Sequence, residues 1–130
     1  MNHSPCILVV DDNPLVLRAS GRILRDAGYT VIEASSGAEC LRLAREHTPD
    51  LILLDVVMNE PNGIEICRQL KADPALAHSF VILFSGIKTE SNDQALGIET
   101  GADGYITHPI SNRELVARVQ GMLRIRAAEN

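Results

Sequence analysis

CILVVDDNP, residues 6–14, carries five apolar residues directly into two adjacent carboxylates, Asp11 and Asp12, and stops at Pro14. The apolar run is too short for a helix and lacks the alternation of a half-exposed strand, so it reads as a strand buried on both faces. Two similar runs follow, LILL at 51–54 and FVILF at 80–84. Strands buried on both faces need helices to cover them, and the intervening segments have helical period. These are Leu15, Ala19, Ile23 and Ala27 in the first, Ala38, Leu41 and Ala44 in the second, and Ile64, Cys67, Leu70 and Lys71 in the third.

The punctuation between runs agrees. Asn13 and Pro14 form a helix cap and first-turn pair, Gly28 closes that helix, and SSG at 35–37 and PNG at 61–63 open the next two. TVIEA at 30–34 alternates more, as an edge strand does, and DGYIT at 103–107 supplies a fifth strand. A final helix starts at the cap Ser111 and repeats Leu115, Val119 and Met122 with Val116 and Leu123. It is expected to run to about residue 127, where it could continue as a linker in a longer protein. The pattern is (βα)5, expected as one domain over residues 1–130. Right-handed crossovers then reduce the topologies to a doubly wound parallel α/β sheet, with the flavodoxin-like strand order 2-1-3-4-5.

Composition narrows the function. With 45% hydrophobic residues in 130, the chain can build a core without disulfides, and its three cysteines, Cys6, Cys40 and Cys67, have no paired spacing, which points to a reducing compartment. No segment approaches the roughly 18 apolar residues of a membrane helix, and MNHSPC has no basic start, so the expected location is the cytoplasm, away from membranes. A net charge of -5, no Trp, two Phe and two Tyr argue against direct nucleic-acid binding by this domain. His3, His47 and His78 lack metal-ligand spacing, and Arg113, Arg118, Arg124 and Arg126 are expected on a solvated face of the last helix.

In the order 2-1-3-4-5 the first and third strands are neighbours at the topological switch point, where ligands bind at the carboxyl ends. Asp11 and Asp12 end the first strand and Asp55 ends the third. Adjacent carboxylates repel by roughly 4 kcal/mol per pair at an effective dielectric of 20, so a cation or a functional demand must offset them. Three carboxylates in an open crevice describe a hard, partly hydrated cation, Mg2+ rather than caged Ca2+. Ser85 closes the fourth strand beside the same crevice, and His108 and Pro109 follow the fifth and complete its rim. Taken singly, an Asp at a strand end is a turn former or helix cap, Ser85 a loop hydroxyl, Tyr105 a half-buried strand aromatic and His108 a rim residue. Three acids at one sheet end are harder to ascribe to coincidence.

VVDD (9–12), LLD (53–55), Met58, NG (62–63), FSG (84–86), GADGYIT (101–107) and the proline of HP (108–109) follow in an order that resembles a response-regulator receiver domain of two-component signalling, of the chemotaxis-regulator type, over essentially the full length. The resemblance implies that Asp55 accepts a phosphoryl group from the phosphohistidine of a sensor histidine kinase or phosphotransfer protein. Asp11, Asp12, Asp55 and the backbone carbonyl of Val57 would hold Mg2+, with Asp12 a direct ligand. Ser85 would hydrogen-bond the phosphoryl group, and Tyr105 would turn inward as Ser85 moves. The surface around the fourth and fifth strands and their helices would then switch toward a downstream output domain or protein, in a monomer or weak dimer. Such a domain is not an enzyme, although it assists its own phosphotransfer and dephosphorylation. Val57 and Ile87 occupy the positions expected to control water access to the phosphoryl group.

Two departures stand out. His108 takes the place of the family's lysine, a shorter side chain only partly charged at neutral pH. The loop after Asp55 reads VVMNEPNG, which moves the usual proline to Pro61. The first of these admits an alternative, a pseudo-receiver that binds partners without being phosphorylated. An Asp-nucleophile phosphatase fits worse, because its acids would be spaced as DxD and here they are adjacent.

Overall fold

Each continuous apolar run becomes a parallel strand whose alternate residues enter two different cores. The computed structural model describes residues 4–58, 62–85, 101–107 and 110–129, with the backbone alone at Ser85 and Glu129. In chain order the elements are β1 (Cys6–Val10), α1 (Pro14–Asp26), β2 (Thr30–Ala34), α2 (Gly37–His47), β3 (Leu51–Asp55), α3 (Gly63–Ala72), a 3-10 turn (Pro74–Leu76), β4 (Phe80–Ser85), β5 (Gly104–Thr107) and α4 (Asn112–Glu129). The five strands form one parallel sheet in the order β2-β1-β3-β4-β5, the α/β flavodoxin-like arrangement. Any helix between β4 and β5 falls in residues 86–100, outside the described residues.

Leu8, Val10, Ile52, Leu54, Val81 and Leu83 point to one face, where Cys40 and Ala44 of α2 and Ile64, Ile66, Cys67 and Leu70 of α3 cover them. Ile7, Val9, Leu51, Leu53, Phe80, Ile82 and Phe84 point to the other, against Leu17 and Leu24 of α1 and Leu115 and Val119 of α4. Burial on both faces is what an uninterrupted apolar strand requires. Among the described residues no helix is long and apolar enough to cross a membrane.

The caps form as the sequence predicts. Asn13 accepts from the N–H groups of Leu15 and Val16, Ser36 from that of Glu39, Asn62 from that of Glu65 and Ser111 from that of Glu114. Gly28, at φ 101°, follows the end of α1. Two helix faces differ from expectation. In α1 the buried line is Leu17, Ser20, Gly21 and Leu24, while Leu15 is 75% exposed and Ala19 and Ala27 are exposed. At about 100° per residue Leu15 lies nearly opposite the Leu17–Leu24 line, and because a step of four drifts about 40° each time, of that series only Ile23 packs against the core. In α2 the small Gly37 is buried along with Cys40 and Ala44, and Ala38 is exposed.

Arg126 also departs from the solvated face assigned to it. Its Nη1 lies 3.1 Å from Asp50 Oδ1, and its Nε donates to the carbonyl of His78. Asp50 Oδ2 in turn accepts the N–H of Cys6 at 2.8 Å. The end of α4 is thereby fastened to the starts of β1, β3 and β4. Lys71, within the apolar stripe of α3, pairs with Asp103 Oδ2 at 2.9 Å, and the same oxygen accepts the N–H of Val81 at 2.8 Å.

Candidate functional site

Register brings the acids together. Val10 pairs with Leu54 in the parallel ladder, so the next residues along, Asp11 and Asp55, leave the sheet at the same level on neighbouring strands. Asp12 follows Asp11, and one carboxylate oxygen from each of Asp11, Asp12 and Asp55 lies within 4.8 Å of the others. Asn13, not Asp12, caps α1.

Two short turns orient the central pair. Asp11 Oδ1 accepts the N–H of Asn13 at 2.9 Å, and Asp55 Oδ1 accepts the N–H of Val57 at 3.2 Å. Each is an aspartate bonding the backbone two residues on, which fixes the side-chain direction at the strand end. Asp11 is buried, at 7% exposure, and its N–H still reaches Ala34 of the edge strand at 3.1 Å. Asp55 is half-buried and Asp12 is exposed.

Electrostatics follow from that crowding. Burial pushes the Asp55 carboxyl from 3.8 to about 7, the Asp11 carboxylate adds to the rise and Asp12 adds less, while the Val57 N–H opposes them. Three carboxylates crowded in this way make an unfavourable place for negative charge, and a multivalent cation relieves it. Three carboxylate donors with room for water suit a hard cation of the Mg2+ type, and the donor set here fits one.

The other sequence-predicted positions fall out as follows. Val57 projects into solvent, 72% exposed. Ser85 ends β4 one residue beyond the level of Asp55, because Asp55 pairs with Phe84. Tyr105 lies in β5 opposite Leu83 and packs on the core shared with α2 and α3, and its hydroxyl is buried with no hydrogen-bond partner among the described residues. His108, Pro109 and Ile87 lie outside the described residues. One contact escaped sequence reasoning: Gly63 of α3 sits directly on the backbone of Asp55 and Val56. The NG pair at 62–63 signalled a helix start and gave no sign of what that start touches.

Comparison with known proteins places these features in a family. Residues 7–120 match the model of the response regulator receiver domain. The chain is 45% identical over 118 residues to the alkaline phosphatase synthesis transcriptional regulatory protein PhoP of Bacillus subtilis, covering 91% of this chain and 48% of that protein. It is 41% identical over 118 residues to the DNA-binding response regulator MtrA of Mycolicibacterium smegmatis, covering 91% and 50%. The chain thus spans about half the length of the curated relatives it matches. Among solved structures, the signal receiver domain of a signal transduction histidine kinase from Syntrophus aciditrophicus superposes with a TM-score of 0.84 at 35% identity, covering 93% of this chain and 91% of that one.

Proposed function

Because this chain belongs to the response regulator receiver domain family of two-component signalling, we propose that Asp55 is its phosphoacceptor, and that Asp11, Asp12, Asp55 and the Val57 carbonyl hold Mg2+ beside it. The observation that carries this assignment is the convergence of three carboxylates at the ends of β1 and β3, one of them pushed to about 7 by burial and by the other two. With that value Asp55 is close to half protonated at neutral pH, and a protonated carboxyl is a poor nucleophile. Bound Mg2+ supplies charge neutralisation for the acids and for the oxygens of the incoming phosphoryl group.

The chain's own part is positioning. The Val57 N–H holds Asp55 Oδ1, leaving Oδ2 to form the new P–O bond as the P–N bond to the donor imidazole breaks; the imidazole keeps the electron pair and is reprotonated by solvent. Ser85, at the end of the neighbouring strand, is assigned the hydrogen bond to the phosphoryl group, Tyr105 the switching aromatic and His108 the cationic position. The donor is a sensor histidine kinase or phosphotransfer protein in the cytoplasm, and the response passes to an output domain or protein. Residues 1–130 are proposed to form the receiver unit, which is a signalling module rather than a classical enzyme.

Incubation with acetyl phosphate and Mg2+, followed by intact-mass measurement, tests the assignment. The expected result is a gain of one phosphoryl group that Asp55→Asn abolishes while the circular dichroism spectrum is retained. No gain in the parent chain points to the pseudo-receiver alternative, and an undiminished gain in Asp55→Asn overturns the choice of acceptor.

A further inference from the structure

Gly63 opens α3, and its lack of a side chain decides how close that helix comes to the candidate acceptor. A Cβ placed on Gly63 would lie 2.1 Å from the carbonyl oxygen of Asp55, 2.7 Å from the Cα of Val56 and 2.9 Å from the carbonyl carbon of Asp55. All three are backbone atoms, so no side-chain rotation clears the contact. The glycine is needed for room, because the positive-φ glycines of the described residues are Gly28 and Gly101. Elsewhere the constraint is weaker. A Cβ on Gly21 meets the far end of the Glu33 side chain, and one on Gly121 meets nothing within 4 Å.

Hydrogen bonds tie the contact to the site. Gly63 N–H donates to the Val56 carbonyl at 3.0 Å, and Val56 N–H donates to the Phe84 carbonyl at 3.1 Å. Val56 is therefore held on both sides, its carbonyl by the first turn of α3 and its N–H by the end of β4. The same short segment supplies the Val57 N–H that orients Asp55 Oδ1.

We infer that Gly63 is a positioning residue for the acceptor: by seating the first turn of α3 on the Asp55–Val56 peptide, it sets the direction in which the Asp55 carboxylate leaves β3. The inference rests on Asp55 being the acceptor, and Gly63 itself touches neither phosphate nor cation. A displacement of the Asp55 backbone misaligns the attacking oxygen, and misplacements on the order of 1 Å cost up to about a hundredfold in well-oriented reactions.

The test compares Gly63→Ala with Asn62→Ala, which loses the cap of the same helix turn, and with Gly121→Ala, which adds a Cβ in open space. Each is phosphorylated by acetyl phosphate and Mg2+ under conditions where circular dichroism shows it folded. Gly63→Ala should lower the maximal rate by about tenfold or more without a matching rise in the half-saturating acetyl phosphate concentration, and the two controls should stay within about twofold of the parent. A Gly63→Ala rate within that same margin, or an equal loss in Asn62→Ala, overturns the inference while leaving the acceptor assignment standing. Should Gly63→Ala not fold, amide hydrogen exchange on the parent chain decides. Loading with fluoroberyllate and Mg2+ should slow exchange at Gly63 and Val56 together, and slowing at Val56 alone overturns the inference. A parent chain that takes up no phosphoryl group removes the acceptor assignment and this inference with it.

Discussion

Replacing Asp55 by asparagine should change the pH dependence of stability as well as phosphorylation. In metal-free buffer the folded carboxyl sits at about 7 against an ordinary value of 3.8. At about 1.4 kcal/mol for each pH unit that difference corresponds to about 4 kcal/mol, and screening at a half-exposed group reduces it to about 1–2 kcal/mol. The folded state binds this proton more tightly than the unfolded chain does. Its contribution to stability is therefore fully present below pH 3.8 and is lost as the pH rises through about 7. Asparagine keeps the shape and never acquires the charge. Urea unfolding in EDTA at pH 4.5 and pH 8 should accordingly show Asp55→Asn gaining about 1–2 kcal/mol on the parent at the higher pH relative to the lower. Adding Mg2+ at pH 8 should stabilise the parent by about 1.4 kcal/mol when the ion is at ten times its dissociation constant, and the variant by less. A difference between the two chains that is flat with pH, or that narrows toward pH 8, would refute the electrostatic account of the cluster.

Three further outcomes can be measured on the same footing. Gly121→Ala should stabilise α4 by about 0.5–1 kcal/mol in urea unfolding, since the added methyl meets nothing and removes backbone entropy from the unfolded chain. Arg126→Ala should cost about 1–2 kcal/mol, through loss of the partly buried bonds to Asp50 and His78, and leave the acetyl phosphate rate constant unaltered. Val57→Asn should speed loss of the phosphoryl group severalfold, as followed by intact mass after removing the donor, because the exposed valine offers no polar group to orient an attacking water.

How much of this was readable beforehand depends on which atoms carry the information. Runs such as LILL and FVILF announce strands buried on both faces by side-chain chemistry alone, and strand order then brings Asp11 and Asp55 to neighbouring strand ends. The acid cluster was legible for that reason. The face of α1 was not, because its buried line passes through Ser20 and Gly21, small residues whose hydropathy gives no hint of burial. The contact of Gly63 with Asp55 is between backbone atoms, so no property of a side chain encodes it. Arg126 looked like any surface arginine, since its partners Asp50 and His78 precede two different strands and meet it only once the sheet is assembled.

The fastening of α4 lies at the starts of β1, β3 and β4, whereas the three carboxylates stand at the opposite ends of β1 and β3. In mechanical terms the end of the last helix is pinned at a fulcrum remote from the chemistry. Tension applied along the final turns of that helix would be taken up by Asp50, Cys6 and His78 before it reached the acidic edge. If the acidic edge is the phosphoacceptor site proposed above, it can rearrange without unseating the helix, and mutation at the anchor should show first as lost stability, with the acceptor chemistry intact.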